Sequence, residues 1–187
     1  MNPKNRVIIA VAVMALIAVV TCLAMDAPPM VYFLFLVVGV VVYFIVAPIV
    51  KEAGKLHAEG KIVTRDAGFM KNAQTFTVSK VSTDTLVSAM KNEGVPFAGL
   101  DWKAGEDAMT FSYNQWAAQM VRSSGDDGHD KFRFSFTGWQ TMKYGQAIDF
   151  TQMNQLLTAI EKAFIKLDPN TKVQTEQIKI NTKSSFL

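Results

Sequence analysis

The sequence has little of what disulfide, metal and cofactor chemistry requires. A single cysteine, Cys22, excludes an intrachain disulfide, and two histidines far apart in sequence do not predict a metal site. There is no glycine-rich phosphate-binding loop, no dinucleotide-binding fingerprint and no internal repeat. Only His129 could activate a nucleophile in the C-terminal half, and it lies in an acidic loop. We therefore expect a protein without enzyme activity, cofactor or bound metal.

The excess of positive over negative charge is also small. The formal net charge is only +3, and the basic residues do not cluster into the face that nucleic-acid binding needs, so no nucleic-acid partner is expected. Asp126, Asp127 and Asp130 surround a glycine in the segment 123–130, but the distal glutamate of a calcium loop is missing. That segment is interpreted as a polar hairpin loop.

Charge is absent altogether from two long apolar runs, Val7–Met25 and Met30–Val50. About 20 helical residues cross a bilayer, so each run is long enough to span one. Asp26–Pro29 fits a tight reversal between them, and residues 1–50 are predicted to form a two-helix transmembrane hairpin with the lipid bilayer as partner. Lysine and arginine flank the outer ends and are missing from the reversal, which predicts that both termini are cytoplasmic.

Small residues in these runs predict close packing between helices. Ala12, Ala15 and Cys22 recur at roughly helix-face spacing, and Gly39 interrupts a wall of valine and phenylalanine. Such residues let transmembrane helices approach closely. They could serve the hairpin itself or a contact between chains, and the sequence does not separate the two.

Residues 51–73 are interpreted as a juxtamembrane connector. The stretch combines helix-forming residues with alternating charge and two early glycines. It could continue the second span as a helix or lie along the headgroups. A solvated spacer that positions the following domain is the favoured interpretation, because acids are interspersed among its basic residues.

Residues 74–187 have the composition of one compact domain. The predicted order is a strand, a short helix that begins near Ser82, about four strands, a long helix and a last strand at Lys172–Ile180. Asp149 is expected to cap the long helix. We predict an α+β domain with an antiparallel sheet and helices on one face. This element order is similar to that of helix-grip folds, in which a long C-terminal helix covers a curved sheet, and no motif adds to the similarity.

Aromatic and aliphatic side chains on the predicted strands and long helix are the candidate site. The favoured interpretation is a packed core between sheet and helix, since half-buried strands use aromatic residues to fill volume. The alternatives are the lining of a pocket for a lipid or other apolar ligand, as helix-grip domains often provide, and an exposed protein interface. The residues are Phe111, Tyr113, Trp116, Phe132, Phe134, Phe136, Trp139, Leu157 and Ile160.

The leading functional hypothesis is a membrane-anchored, non-enzymatic protein. Its cytoplasmic α+β domain would bind or scaffold another protein, or associate with itself as an oligomer. The alternative is a membrane-tethered domain that binds a lipid or another apolar ligand. Both hypotheses depend on the absence of catalytic motifs and on the predicted anchor.

Overall fold

The computed structural model describes residues 28–124, 128–141, 149–179 and 183–184. The chain divides into two compact units, Met1–Gly60 and Lys61–Leu187. The sequence places the start of the domain at residue 74, whereas the second unit begins at Lys61. Residues 61–73 therefore belong to the same compact unit as the sheet.

The first unit contains one described helix, α1, at Pro29–Ala58. Pro28 is extended at its N-cap, and Pro29 occupies the first helical position, where a missing N–H costs nothing. The helix includes Pro48 and does not end with the apolar run, because it continues through the charged residues to Ala58. The first eight residues of the predicted connector thus extend this helix.

The transmembrane hairpin predicted for residues 1–50 is wrong for the residues that the structure describes, and its first predicted span, Val7–Met25, lies outside them. In the part of the chain that the structure describes, no helix combines the length and the apolarity that crossing a membrane demands. The prediction counted uncharged residues, but the helix that forms is a longer element with Pro48 inside it and a charged last third. The two-span membrane localisation and the cytoplasmic termini, which were predicted from the lysines and arginines flanking these spans, both presuppose the hairpin, and they are corrected with it.

Of the four residues assigned to transmembrane packing, the structure describes one. Ala12, Ala15 and Cys22 lie outside the described residues. Gly39 lies within α1, where an added Cβ would meet no described atom within 4 Å. No packing role for Gly39 follows from this geometry.

The second unit is an α+β domain built on an antiparallel sheet. The strand order is β2-β3-β4-β5-β1-β6, and a short β7 pairs in parallel with the end of β5. β1 lies between β5 and β6, so the first and last long strands of the domain are neighbours. The strands are β1 Asn72–Ser79, β2 Asp101–Ala104, β3 Ala108–Tyr113, β4 Trp116–Ser124, β5 His129–Thr141, β6 Lys172–Gln177 and β7 Lys183–Ser184.

Two helices follow local signals in the sequence. Helix α2, Thr83–Asn92, begins at Ser82, whose hydroxyl accepts a hydrogen bond from the Thr85 N–H, and ends before Gly94 at φ +87°. Helix α3, Phe150–Leu167, has Asp149 at its N-cap, but the Asp149 side chain makes no capping hydrogen bond. The predicted Asp149 cap is therefore corrected. A short 3-10 helix at Phe69–Lys71 precedes β1.

Alternation along the strands separates the sheet into a covered face and an open face. On β5, Phe132 and Phe134 point to the side where α2 and α3 pack, while Lys131 and Arg133 point to the other side and are exposed. The helices contribute Leu86, Met90 and Phe164, among others, to the same core. The core therefore lies between one face of the sheet and both helices.

Candidate functional site

The aromatic set lies within the core of the domain. All of its members are buried except Tyr113, which is partly buried and packs against the core. The buried members are Phe111, Trp116, Phe132, Phe134, Phe136, Trp139, Leu157 and Ile160. They come from three neighbouring strands and from α3, which closes over them.

The rings in this core contact one another. Phe164 of α3 stacks on Phe76 with ring centroids 4.5 Å apart and packs beside Phe132 at 5.2 Å. Phe136 meets Phe134 at 5.1 Å and Trp116 at 5.6 Å, both edge to face. Distances of this size are those of packed aromatic pairs. The contacts favour a filled core over a ligand cavity between the sheet and the long helix.

A small pocket lies beside this core, at the end of β4. It is lined by Arg122, Phe132 and Thr83, among others, and has a volume of about 10 Å³. A volume of about 10–15 Å³ is needed to hold one water molecule, so this pocket is too small for an organic ligand. Arg122, which lines this pocket, also forms an ion pair next to it.

Arg122 and Asp130 form that ion pair across the β4–β5 hairpin. Arg122 Nη2 donates to Asp130 Oδ2 at 2.8 Å, and the Val81 N–H donates to the same oxygen at 3.0 Å. Burial raises the pKa of Asp130, but these two hydrogen bonds and the arginine charge outweigh it, so the net pKa is lowered. Asp130 is therefore a buried structural anion, although the sequence places it in a loop. The loop of this hairpin is shorter than the predicted segment 123–130, since β4 runs to Ser124 and β5 starts at His129.

A second polar cluster, Arg65 with Asn154, Thr158 and Glu161, holds the segment before β1 against α3. Arg65 Nε donates to Asn154 Oδ1 at 2.8 Å, and its Nη1 donates to Glu161 Oε1 at 3.0 Å. Asn154 Nδ2 in turn donates to the Val63 carbonyl at 2.7 Å, and the guanidinium lies over the Phe69 ring. No local pattern in the sequence indicates this cluster, because Arg65 is 89 residues from Asn154 and 96 residues from Glu161.

The ends of α3 carry two carboxyl groups whose pKa values are shifted in opposite directions. Asp168 accepts hydrogen bonds from the Ser79 N–H at 2.9 Å and hydroxyl at 2.8 Å, which lower its pKa. Burial raises the pKa of Asp149, only partly countered by a hydrogen bond from the Gln115 backbone. Both groups join α3 to the sheet. Within the described ranges, no three His, Cys, Asp or Glu side chains are grouped so as to hold a metal ion.

The sheet edge formed by β6 is exposed, unlike the buried core and the ion pairs beside it. All six residues of Lys172–Gln177 are exposed, and among the described strands β6 pairs only with β1. Val173 faces the same side as Phe76 of β1, yet 46% of Val173 is exposed. On the open face, Glu176 of β6 accepts a hydrogen bond from Arg133 Nε at 3.0 Å.

The backbone of β6 offers half of its hydrogen-bonding groups to a partner. The Ile178 N–H donates to the Lys71 carbonyl at 2.9 Å, and this bond beside the Asn72–Gln177 pair makes that pair a non-hydrogen-bonded one of the antiparallel ladder. Hydrogen-bonded and non-hydrogen-bonded pairs alternate along such a ladder. The N–H and C=O groups of Val173, Thr175 and Gln177 therefore point away from β1, toward the outside of the sheet.

Comparisons with protein-family models, with curated proteins and with solved structures find no match.

Proposed function

We propose that the α+β domain is a non-enzymatic protein-binding module that adds an extended segment of another polypeptide to the β6 edge. The observation that carries this proposal is the open, six-residue edge strand with three residues whose backbone groups point outward. An exposed sheet edge is a template for a further strand, and main-chain hydrogen bonds supply the affinity of such complexes. The ligand-binding alternative has no comparable support, because the aromatic rings pack on one another.

The charged groups near the core support a structural rather than a catalytic role. Asp130 is bound to Arg122 and the Val81 N–H, and Asp168 is bound to Ser79. Arg65 and Glu161 bind each other and fasten residues 61–71 to α3. Each of these groups is engaged in joining one element to another, which favours a structural role for it.

The β6 strand has side chains that can select a partner segment. Val173 and Thr175 alternate with Lys172, Gln174 and Glu176, so one side of the edge is weakly apolar and the other is charged. A partner strand in antiparallel or parallel pairing would place its own alternate side chains on these two sides. The edge should therefore favour β-prone segments with charges opposite to those of β6.

A photocrosslinking experiment on the full chain tests this function. A photoreactive amino acid at Gln174 should capture another polypeptide in the cells that make the protein, whereas the same group at the exposed Thr110 on β3 should not. Thr110 is the matched control because it lies on the same sheet, four strands away from β6.

Proline at position 175 supplies the second arm. The Thr175 N–H points away from β1, so Thr175→Pro removes an outward donor without removing a hydrogen bond of the β1–β6 ladder, and proline is tolerated at such edge positions. The Gln174 adduct should disappear in Thr175→Pro and persist in Thr175→Ala. Equal capture at Gln174 and Thr110, absence of any adduct, or an adduct insensitive to Thr175→Pro would each contradict the proposed function.

A further inference from the structure

The occupant of the β6 edge can be named from the pairing that its own sequence allows. We propose that β6 pairs antiparallel with β6 of a second copy of this chain, with the two-fold axis at Gln174, so that two domains share one continuous sheet. This inference rests on the proposed function, because it identifies the partner at the same edge. Its basis is the direction of the backbone groups together with the order of charges along Lys172–Gln177.

The backbone first limits the registers that are allowed. In an antiparallel pair, two residues that exchange both hydrogen bonds lie opposite each other. The backbone N–H and C=O groups of Val173, Thr175 and Gln177 point outward. These three residues must therefore lie opposite residues of the same set in the second copy. A symmetric pair can therefore have its axis at any single residue of β6, but not between two residues.

Charge then selects among these registers. With the axis at Gln174, Lys172 of each copy lies opposite Glu176 of the other, which makes two ion pairs, and Val173 lies opposite Thr175 twice. Opposite charges and β-branched residues are favourable cross-strand neighbours. Moving the axis to Thr175 would place Lys172 opposite Ile178 and Glu176 opposite Gln174, and both ion pairs would be lost.

The side chains on each face fit this arrangement. Lys172 and Glu176 both lie on the open face, where Glu176 already binds Arg133, so the second copy's Lys172 would add a second cation beside that carboxylate. Positions 172 and 176 fall at non-hydrogen-bonded pairs, where opposing side chains are closest. On the other face, the exposed Val173 would be covered by the incoming strand.

Cysteine trapping in the full chain tests the register directly. In a Cys22→Ala background, Gln174→Cys places two thiols opposite each other at the axis, at a separation that a disulfide can bridge after mild oxidation. Gln177→Cys is the matched control, since it lies on the same exposed strand but far from its own symmetry mate. The expected result is a disulfide-linked dimer for Gln174→Cys and little for Gln177→Cys, and a scan of positions 173–177 should show its maximum at 174.

Charge exchange tests the two ion pairs with the same Gln174→Cys reporter. Lys172→Glu and Glu176→Lys should each lower the homodimer fraction roughly ten-fold, because two attractive pairs become repulsive. Co-expression of the two differently tagged variants should restore a mixed dimer, since each glutamate then faces a lysine. A dimer whose yield ignores these charges, or a cysteine scan with its maximum elsewhere, would overturn the register.

The outcomes separate this inference from the proposed function. No dimer above the Gln177→Cys control, in protein whose tryptophan fluorescence shows a folded domain, would refute pairing between copies. If the photoreactive group at Gln174 then still captured a different polypeptide, the edge would remain a protein-binding site with another partner. Failure of both experiments would remove the edge as a binding site altogether.

Discussion

Arg133 and Phe134 are neighbours on β5, yet they belong to two very different surfaces of the same sheet. Phe134 is 1% exposed and packs edge to face against Phe136, whereas the Arg133 side chain is 45% exposed and binds Glu176 on the open face. The comparison shows that the covered face holds the fold together, while Arg133 and Glu176 on the open face stay accessible to water. The free energy that a side chain contributes follows from the face on which it lies.

Buried polar groups show what burial requires of a charged side chain. Asp130 lies on the same face as Phe132 and Phe134, and it is tolerated there because Arg122 and the Val81 N–H satisfy one of its oxygens. Arg65 is likewise only 11% exposed on its side chain and bonds to three residues of α3. Burial thus demands partners, and the partners in turn fix how the elements join.

The largest effect is expected for Phe134→Ala on the covered face. Removing the ring should lower the free energy of unfolding by about 3–5 kcal/mol, because the packed core cannot close the cavity. Urea unfolding of the full chain followed by tryptophan fluorescence measures it, since Trp102, Trp116 and Trp139 all lie in the α+β domain. A loss below about 1 kcal/mol would mean that the ring is not packed as described.

An intermediate effect is expected for Arg65→Met, which keeps an unbranched apolar stem but removes the guanidinium and its charge. Asn154 and Glu161 would lose their guanidinium partner, and a hydrogen bond to a charged group contributes about 1.5–3 kcal/mol. Arg65→Lys should recover part of the loss by restoring the charge without the forked geometry. The same urea titration applies, and identical unfolding of wild type and both variants would contradict the role assigned to this cluster.

The pH dependence of stability tests the buried Asp130. Its pKa is lowered in the folded state, so its ionised form contributes stability that is fully present above its unfolded pKa of about 3.9 and is lost as pH falls through the folded pKa. Asp130→Asn should therefore be less stable than wild type at pH 7, and the difference should shrink as pH falls below about 4. Asp168, whose pKa is also lowered, keeps part of the acid sensitivity in the variant.

Urea titrations of wild type and Asp130→Asn between pH 7 and pH 3 measure this difference. A constant difference across that range would show that the Asp130 charge does not contribute.

The smallest effect is expected for Arg133→Gln on the open face. Its ion pair with Glu176 is roughly half exposed on both sides, and pairs of this kind contribute about 0–1 kcal/mol. Urea unfolding should therefore change by less than about 1 kcal/mol, next to the several kcal/mol of its neighbour Phe134. A loss as large as that of Phe134→Ala would break the distinction between the two faces.

The local elements of the domain can be predicted from short stretches of the sequence. The alternation of Phe132, Phe134 and Phe136 predicts a strand with one apolar face, and the apolar stripe of residues 153–167 predicts the long helix. Ser82 begins α2 by a capping interaction that depends only on nearby residues. These features follow from the periods of strands and helices, which neighbouring residues in the chain set.

Run length alone misled in the N-terminal part. Counting uncharged residues over Met30–Val50 predicts a spanning segment, but it does not show where the helix ends or what it includes. Helix α1 carries Pro48 and continues through the charged residues to Ala58. The same limit applies to Asp130, which a polar segment places in a loop although it lies buried on β5.

Which groups meet across the chain depends on the tertiary fold and not on local pattern. Arg65 reaches Glu161 over a separation of 96 residues, and β6 becomes an edge strand because β1 takes the place between it and β5. No local pattern distinguishes an edge strand from a central one when both are short and polar on one face. Strand order depends on which distant segments bury the most apolar surface against the two helices, and this order directs the backbone groups of Val173, Thr175 and Gln177 away from β1.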